Sequence, residues 1–186
     1  MTDRRPVILL LAAPSTSAAV LYGLYDVLFS AGAVFADMTR GVPGTESLDV
    51  RIVSLDGQPF RCSGNILVEP HGAIGDPGPV DAVVICDMYG PILDPPRHEY
   101  LAFAPWLKAL HRDGVLLTSA CSGALVLAEA GLLDGREAAC HWAYAELFAR
   151  IYPRARLRRD SILCLSAEAE GIVTAGGMTA WQELAL

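Results

Sequence analysis

The chain has 186 residues, of which 53% are hydrophobic and 19% charged, and its formal net charge at pH 7 is −7. This length suffices for one domain with a sizeable core and is short for two. The acidic balance excludes a general attraction to phosphate backbones or anionic membranes, so this chain is not expected to bind nucleic acid directly. No apolar run approaches the ~20 residues of a membrane span, and no membrane association is expected.

The first apolar stretch and the cysteines both indicate a cytoplasmic protein. Residues 7–13 are apolar but end at Pro14-Ser15-Thr16 instead of continuing towards a signal-peptide cleavage site. The five cysteines form no C-x-x-C pair, are odd in number and are too sparse for a disulfide framework or a zinc site. We therefore expect reduced thiols, no metal site and no cofactor.

Apolar runs alternate with segments of helical periodicity, which predicts an α/β fold with parallel strands and crossover helices. In chain order the predicted elements are a strand at 7–12, a helix with apolar positions from Val20 to Leu28, strands at 48–55 and 66–68, a central strand at 80–86, a helix that begins at Pro105, a strand at 115–119, helices at 124–129 and 142–151, strands at 162–165 and 172–174, and a helix at 179–186.

The most informative segment is the turn between the strand at 115–119 and the helix that follows. Cys121 is flanked by Ser119, Ala120, Ser122 and Gly123. Small residues surround a nucleophile elbow because the tight strand-to-helix reversal has no room for larger side chains. Unpaired N–H groups and the dipole at a helix N-terminus favour a thiolate. The pattern predicts a strained turn with a reactive Cys121 facing a pocket; the structural alternative is a small cysteine that packs the strand end.

Two further segments are candidates for the same site. His141 lies about twenty residues after the turn and is predicted as a base or hydrogen-bond partner of Cys121, although a histidine beside a tryptophan is often structural. The N–H groups of Tyr89 and Gly90, in the loop after the central strand, are predicted to help form an oxyanion hole or to bind a carboxylate. Asp87, at the start of that loop, either contacts a ligand or caps the loop.

Several motifs in order resemble the ThiJ/PfpI (class I glutamine amidotransferase-like) superfamily. They are Cys-Ser-Gly-Ala at 121–124, Ala-Gly-Leu-Leu-Asp-Gly-Arg at 130–136, Cys-His-Trp at 140–142, Tyr-Pro-Arg at 152–154 and Thr-Ala-Gly-Gly-Met-Thr-Ala at 174–180. The most similar subgroup is the N-terminal sensing domain of AraC/XylS-type transcription regulators. The resemblance covers nearly the whole chain and implies one domain over residues 1–186, with a flavodoxin-like, doubly wound, mostly parallel sheet, helices on both faces and a nucleophile-elbow cysteine.

The same resemblance implies a function. It predicts a domain that senses a small polar or anionic metabolite through Tyr89, Gly90, Cys121 and Ser122. In such regulators a C-terminal helix-turn-helix domain binds DNA, and none is expected within residues 1–186. Because two DNA-reading domains must be paired, the chain is expected to form a homodimer.

Two departures from the superfamily's enzymes argue against catalysis. These enzymes commonly place an acidic residue in the first strand–helix connection, and alignment of the first helix puts Val20 there. Amidotransferases carry a glutamate two residues after the histidine, whereas Ala143 cannot orient His141. We therefore predict a non-catalytic domain, in which the candidate catalytic residues Cys121 and His141 are either vestigial or still functional. The alternatives are a stand-alone ThiJ/PfpI-family hydratase or hydrolase with Cys121 as nucleophile, and a redox sensor in which Cys121 reaches sulfenic acid.

Overall fold

The computed structural model describes residues 4–75, 78–93, 95, 97–165 and 171–186. The strands are β1 (Val7–Leu11), β2 (Asp49–Ser54), β3 (Phe60–Cys62), β4 (Ile66–Val68), β5 (Gly72–Ala73), β6 (Ala82–Ile85), β7 (Leu116–Ala120), β8 (Glu137–Ala138), β9 (Arg156–Leu157), β10 (Leu163–Cys164) and β11 (Ile172–Ala175). The helices are α1 (Ala18–Ser30), α2 (Ala33–Arg40), α3 (Arg97–Arg112), α4 (Ala124–Glu129), α5 (Ala145–Ile151) and α6 (Trp181–Ala185).

Seven strands form one sheet in the order β10-β11-β7-β6-β1-β2-β5. Every pair is parallel except β10 with β11. All four residues of β6 are buried, as expected for a parallel strand covered on both faces. The chain passes from β1 to β2 on one side and later returns to β6 on the other, which creates a switch point between β1 and β6. The predicted flavodoxin-like α/β fold is confirmed.

Helices cover both faces of this sheet. Side chains along a strand alternate between faces, and accordingly Leu9 and Leu11 belong to one buried apolar cluster while Leu10 belongs to the other. The first cluster includes residues of α3, α4 and α5, and the second includes residues of α1 with α6 packed against it. The doubly wound arrangement places the carboxyl ends of β6 and β7 at one edge, where the candidate site lies.

Helix α3 corrects one prediction. It begins at Arg97, not at Pro105, which lies inside the helix. A proline within a helix removes one backbone hydrogen bond. The first turns nevertheless form because they bury Tyr100, Phe103 and Ala104, and burial of these apolar side chains outweighs the lost bond. Helix α2 and the short strands β3, β5, β8 and β9 were not predicted, since runs of two or three residues and a weakly apolar helix produce little periodicity.

Helices α1 and α2 present an apolar surface to solvent. Phe35 and Met38 on α2 are 68% and 80% exposed, and Tyr22, Val27 and Phe29 on α1 are also exposed. No single helix in the described ranges is long and apolar enough to cross a membrane. The α1–α2 pair meets that test by length and composition only, and it is bent by 59°.

Candidate functional site

Cys121 lies at the reversal between β7 and α4 with a left-handed φ of 54°. Such a φ costs a residue with a side chain ~1 kcal/mol or more, so the turn is strained, as predicted. Ser119 and Ala120 are fully buried. A Cβ atom added at Gly123 would lie 2.5 Å from the carbonyl oxygen of Ile85. The nucleophile-elbow geometry is confirmed, and its flanking residues are small because the turn packs directly against the backbone of β6.

A cavity of 210 Å³ opens beside Cys121. It is lined by Asp87, Tyr89, Ile92, Cys121, Ser122, His141, Ala143, Tyr144 and Met178. The cavity lies at the carboxyl ends of β6 and β7, next to the switch point, where doubly wound folds bind their ligands. It is smaller than the roughly 300–1,000 Å³ of drug-sized pockets, which suits a small metabolite. Of the residues that the sequence predicted for the site, all reach this cavity except Gly90, which lies in the loop after β6 but is not a lining residue.

The loop after β6 uses its own backbone N–H groups within the chain. The N–H of Tyr89 donates to the carbonyl of Ser15, at an N···O distance of 3.0 Å. The N–H of Gly90 donates to the hydroxyl of Tyr144 (3.4 Å), and that hydroxyl donates in turn to the Gly90 carbonyl (2.9 Å). An oxyanion hole needs donors that are free to meet a developing negative charge. This geometry therefore opposes the predicted use of Tyr89 and Gly90 as oxyanion donors.

The thiol of Cys121 is protonated at neutral pH. Burial raises its pKa to about 11, the carboxyl of Asp87 adds to the increase, and hydrogen bonds with Ser122 offset only part of it. Helix α4 has only six residues and follows a 3-10 turn at Cys121–Gly123, so it contributes a small dipole. In this geometry desolvation outweighs the field of a short helix, which disfavours the predicted thiolate.

His141 lines the same cavity, but no hydrogen bond joins its ring to the Cys121 thiol within the described residues. Its Nδ1 accepts the N–H of Ala143 at 3.3 Å. The ring centroid lies 5.3 Å from that of Trp142 and 6.3 Å from that of Tyr144. In a neutral imidazole whose Nδ1 accepts a hydrogen bond, the proton lies on Nε2. In this tautomer Nε2 cannot accept the proton of a thiol.

The two positions at which the superfamily's enzymes are expected to carry an acidic residue lie in different surroundings. Val20 is buried within α1, in the apolar cluster that includes Leu21 and Leu24, and it is not a lining residue of the cavity. Ala143 does line the cavity and brings only a methyl group there. Neither position offers a carboxyl group to orient an imidazole or to share a proton with a thiol.

Asp87 both stabilises the loop after β6 and lines the cavity, and ligand contact by its carboxyl stays a prediction. Its Oδ1 accepts the N–H of Ser17 at 3.1 Å, which joins the loop after β6 to the start of α1. It also lines the cavity with Cys121, and it is 9% exposed. Burial raises the pKa of Asp87 to about 6, and the hydrogen bond from Ser17 offsets part of the increase. At neutral pH the carboxyl is ionised, and it gives the cavity a negative charge that the sequence pattern did not reveal.

The raised pKa of Cys121 predicts slow alkylation by iodoacetamide. At pH 8 its thiolate fraction is about a hundredfold below that of a cysteine at the usual pKa of 9.0, and only the thiolate attacks. We expect the rate to rise with pH up to about 11, and Asp87→Asn to raise the rate at pH 8. Peptide mapping by mass spectrometry separates Cys121 from the four buried cysteines. A rate that reaches its plateau below pH 9 would contradict this description.

Comparison with known proteins agrees with this architecture. The model of the DJ-1/PfpI family matches residues 8–186. The HTH-type transcriptional regulator CdhR of Pseudomonas aeruginosa is 32% identical over 126 residues, which cover 68% of this chain and 35% of the regulator. The match thus spans about a third of that regulator's length. Isonitrile hydratase of Pseudomonas putida is 29% identical over 169 residues, which cover 89% of this chain and 63% of the hydratase.

The solved structures show the same fold. The crystal structure of an AraC family transcriptional regulator from Pseudomonas putida has a TM-score of 0.74 at 20% identity, and the match covers 98% of this chain and 89% of that one. The family match extends from β1 through α6 and includes the Cys121 turn. This chain belongs to the DJ-1/PfpI family, in agreement with its ThiJ/PfpI motifs.

Proposed function

We propose that this chain is the small-molecule-sensing domain of an AraC-family transcriptional regulator and that it is not catalytic. The main observation in support is a cavity that retains the strained cysteine turn while the groups needed for catalysis are otherwise engaged or missing. The Tyr89 and Gly90 N–H groups are used within the chain, and the thiol has a pKa of about 11. The similarity to an HTH-type regulator supports the same proposal.

The proposed ligand is a small polar metabolite held beside Cys121. The cavity offers the Asp87 carboxyl and the polar groups of Ser122 and His141, together with the apolar side chains of Ile92 and Met178. Such a mixture of a few polar groups in an apolar lining is typical of small-molecule sites. Anionic metabolites, which the resemblance also implies, fit less well because they would approach the negative charge of Asp87.

We propose that DNA is contacted only by a separate C-terminal helix-turn-helix domain, in a cytoplasmic protein. The net charge of −7 argues against DNA binding by these residues. The regulator CdhR is named for a helix-turn-helix, and the region matched by this chain is 35% of its length. Reading the encoding gene beyond codon 186 tests the proposal: a helix-turn-helix sequence would support it, and an immediate stop codon would count against it.

A homodimer is expected in solution, since two DNA-reading domains must be paired. Light scattering at tens of micromolar should report twice the chain mass of 19.8 kDa. The exposed apolar surface of α1 and α2 is the expected contact, so the double variant Phe35→Ser/Met38→Ser should shift the equilibrium towards monomer. Leu93→Ser, which also changes a largely exposed apolar side chain but in the loop after β6, is the control. A wild-type protein that is monomeric throughout would contradict the prediction.

The alternative function is a stand-alone hydratase or hydrolase that uses Cys121 as nucleophile. The left-handed φ of Cys121 beside a cavity and the similarity to isonitrile hydratase favour it. The missing acids at Val20 and Ala143 and the hydrogen bond from Ala143 that occupies His141 Nδ1 count against it. Redox sensing has less support, because a protonated thiol is oxidised slowly.

Binding and turnover measured on the same samples separate these functions. A thermal-shift screen of small amides, amines, carboxylates and amino-acid derivatives is run beside hydratase, hydrolase and glutaminase assays, on the wild type and on Cys121→Ala. We expect a ligand-dependent shift in both proteins and turnover no higher than background, since the loss of a positioned acid–base partner costs about 10²–10⁴-fold in rate. Robust turnover that disappears in Cys121→Ala would overturn the sensing proposal.

A further inference from the structure

Asp87 is a buried carboxylate without a cationic partner in the described part of the chain. Its carboxyl accepts hydrogen bonds from the N–H of Ser17 and from its own backbone, and no ion pair to it is found among those residues. The residues that line its cavity include no lysine and no arginine. Buried charges in proteins are normally paired, because an unpaired one loses its hydration without compensation. A cation that enters from solvent would supply the missing partner.

The remainder of the cavity suits a cation that carries a small apolar group. The rings of Tyr89, His141 and Tyr144 line it, and Trp142 packs on His141 with ring centroids 5.3 Å apart. Faces of aromatic rings attract cations through their quadrupole. Tyr89 and Trp142 are 72% and 73% exposed, so these large side chains remain available for contact instead of contributing to the core.

An anionic ligand lacks comparable support. The backbone donors of the loop at Tyr89 and Gly90, which would hold a carboxylate, already donate to Ser15 and Tyr144. The carboxylate of Asp87 would repel a second negative charge in the same cavity. A neutral ligand would leave that carboxylate buried and without a counter-charge. Among the three charge classes, only a cation compensates Asp87.

We propose that the cavity selects small organic cations that carry an ammonium group. The ammonium group contacts the carboxylate of Asp87, and the apolar part of the ligand packs against Tyr89, Ile92 and Met178. This inference rests on the proposed sensing function and narrows its ligand to one charge class. It also assigns to Asp87 the role of the residue that determines specificity.

The experiment uses three probes of equal chain length that differ in charge: n-butylammonium, butan-1-ol and butanoate. Each is titrated into the 186-residue chain at pH 8, and binding is followed by NMR chemical-shift changes. We expect the wild type to bind n-butylammonium at least about tenfold more tightly than the other two. Asp87→Asn should lower that affinity at least about tenfold and remove the preference. Asp113→Asn is the matched control, because it removes the same charge from an exposed carboxyl between α3 and β7, at the opposite edge of the sheet.

The possible outcomes are distinct. Equal or tighter binding of butanoate or butan-1-ol by the wild type overturns the inference, as does unchanged n-butylammonium affinity in Asp87→Asn. Absence of binding by all three probes also overturns it. The ranking in the wild type decides the question even if Asp87→Asn does not fold. None of these results removes the proposed sensing function, which fails only if the broader ligand screen finds no ligand or the assays find turnover that depends on Cys121.

Discussion

Gly123→Ala is expected to lower the free energy of unfolding by about 3 kcal/mol, at the upper end of the range for overpacked sites. The new Cβ would lie 2.5 Å from the carbonyl oxygen of Ile85 and 2.7 Å from that of Cys86. Both are backbone atoms at the end of β6, so no side-chain rotation relieves the contact. The Cys121 turn must then move away from β6, or the strand must shift. Urea unfolding followed by circular dichroism measures the difference.

Gly72→Ala is the matched control for this prediction. An added Cβ at Gly72 has no neighbouring atom within 4 Å, and its φ is not in the left-handed region. The same chemical change should therefore alter the free energy of unfolding by less than about 1 kcal/mol. If the two variants were equally stable, the turn would have room for a larger residue, and the tight packing of the elbow against β6 would be refuted.

Asp87→Asn is expected to raise the free energy of unfolding at pH 8. The pKa of Asp87 in the folded protein is about 6, above its usual value of 3.8, so the folded chain binds the proton more tightly than the unfolded chain does. The free energy of unfolding therefore falls as the pH rises from about 4 to 6, and above that range the whole of this loss remains. A difference of about two pKa units corresponds to roughly 3 kcal/mol as an upper limit.

The amide of asparagine keeps an oxygen that can accept the N–H of Ser17, so the contact between the loop after β6 and α1 is preserved. We expect a stabilisation of about 2 kcal/mol at pH 8 and little change at pH 4, where the wild-type carboxyl is protonated in the folded state. Urea unfolding at the two pH values provides the measurement, and Asp113→Asn is the control for net charge. A variant that is less stable than the wild type at pH 8 would refute the account of Asp87.

The effect of Asp87 on stability and its proposed role in cation binding are linked. A residue that lowers stability at neutral pH and yet lies in a ligand-sized cavity is the kind of site where function has a stability cost. If Asp87→Asn is more stable and also loses its affinity for n-butylammonium, the carboxylate serves ligand binding and not folding. If it gains stability while the affinity is unchanged, the cation inference fails although the burial argument stands.

The ordered motifs of the sequence carry its resemblance to the family, and the amino-acid sequence by itself determined the fold class and the position of the elbow. The fold class and the elbow depend on local patterns: the length of apolar runs, the helical spacing from Val20 to Leu28, and the small residues on either side of Cys121. The Cys121 turn could be predicted because every residue that makes it tight lies within two positions of the cysteine, apart from the backbone of β6 on which it packs. The early start of α3 could not be predicted, because Pro105 locally signals the start of a helix. Burial of Tyr100 and Phe103 offsets the effect of this proline and lets the helix begin at Arg97.

The chemical state of the site was decided only by the tertiary structure. The N–H groups of Tyr89 and Gly90 are used by Ser15 and Tyr144, residues far from them in sequence that the fold brings to the loop after β6. The protonated thiol of Cys121 and the raised pKa of Asp87 both follow from burial at the carboxyl edge of the sheet. Desolvation depends on all the atoms packed around a group, including those from distant segments, and no spacing of residues along the chain encodes it.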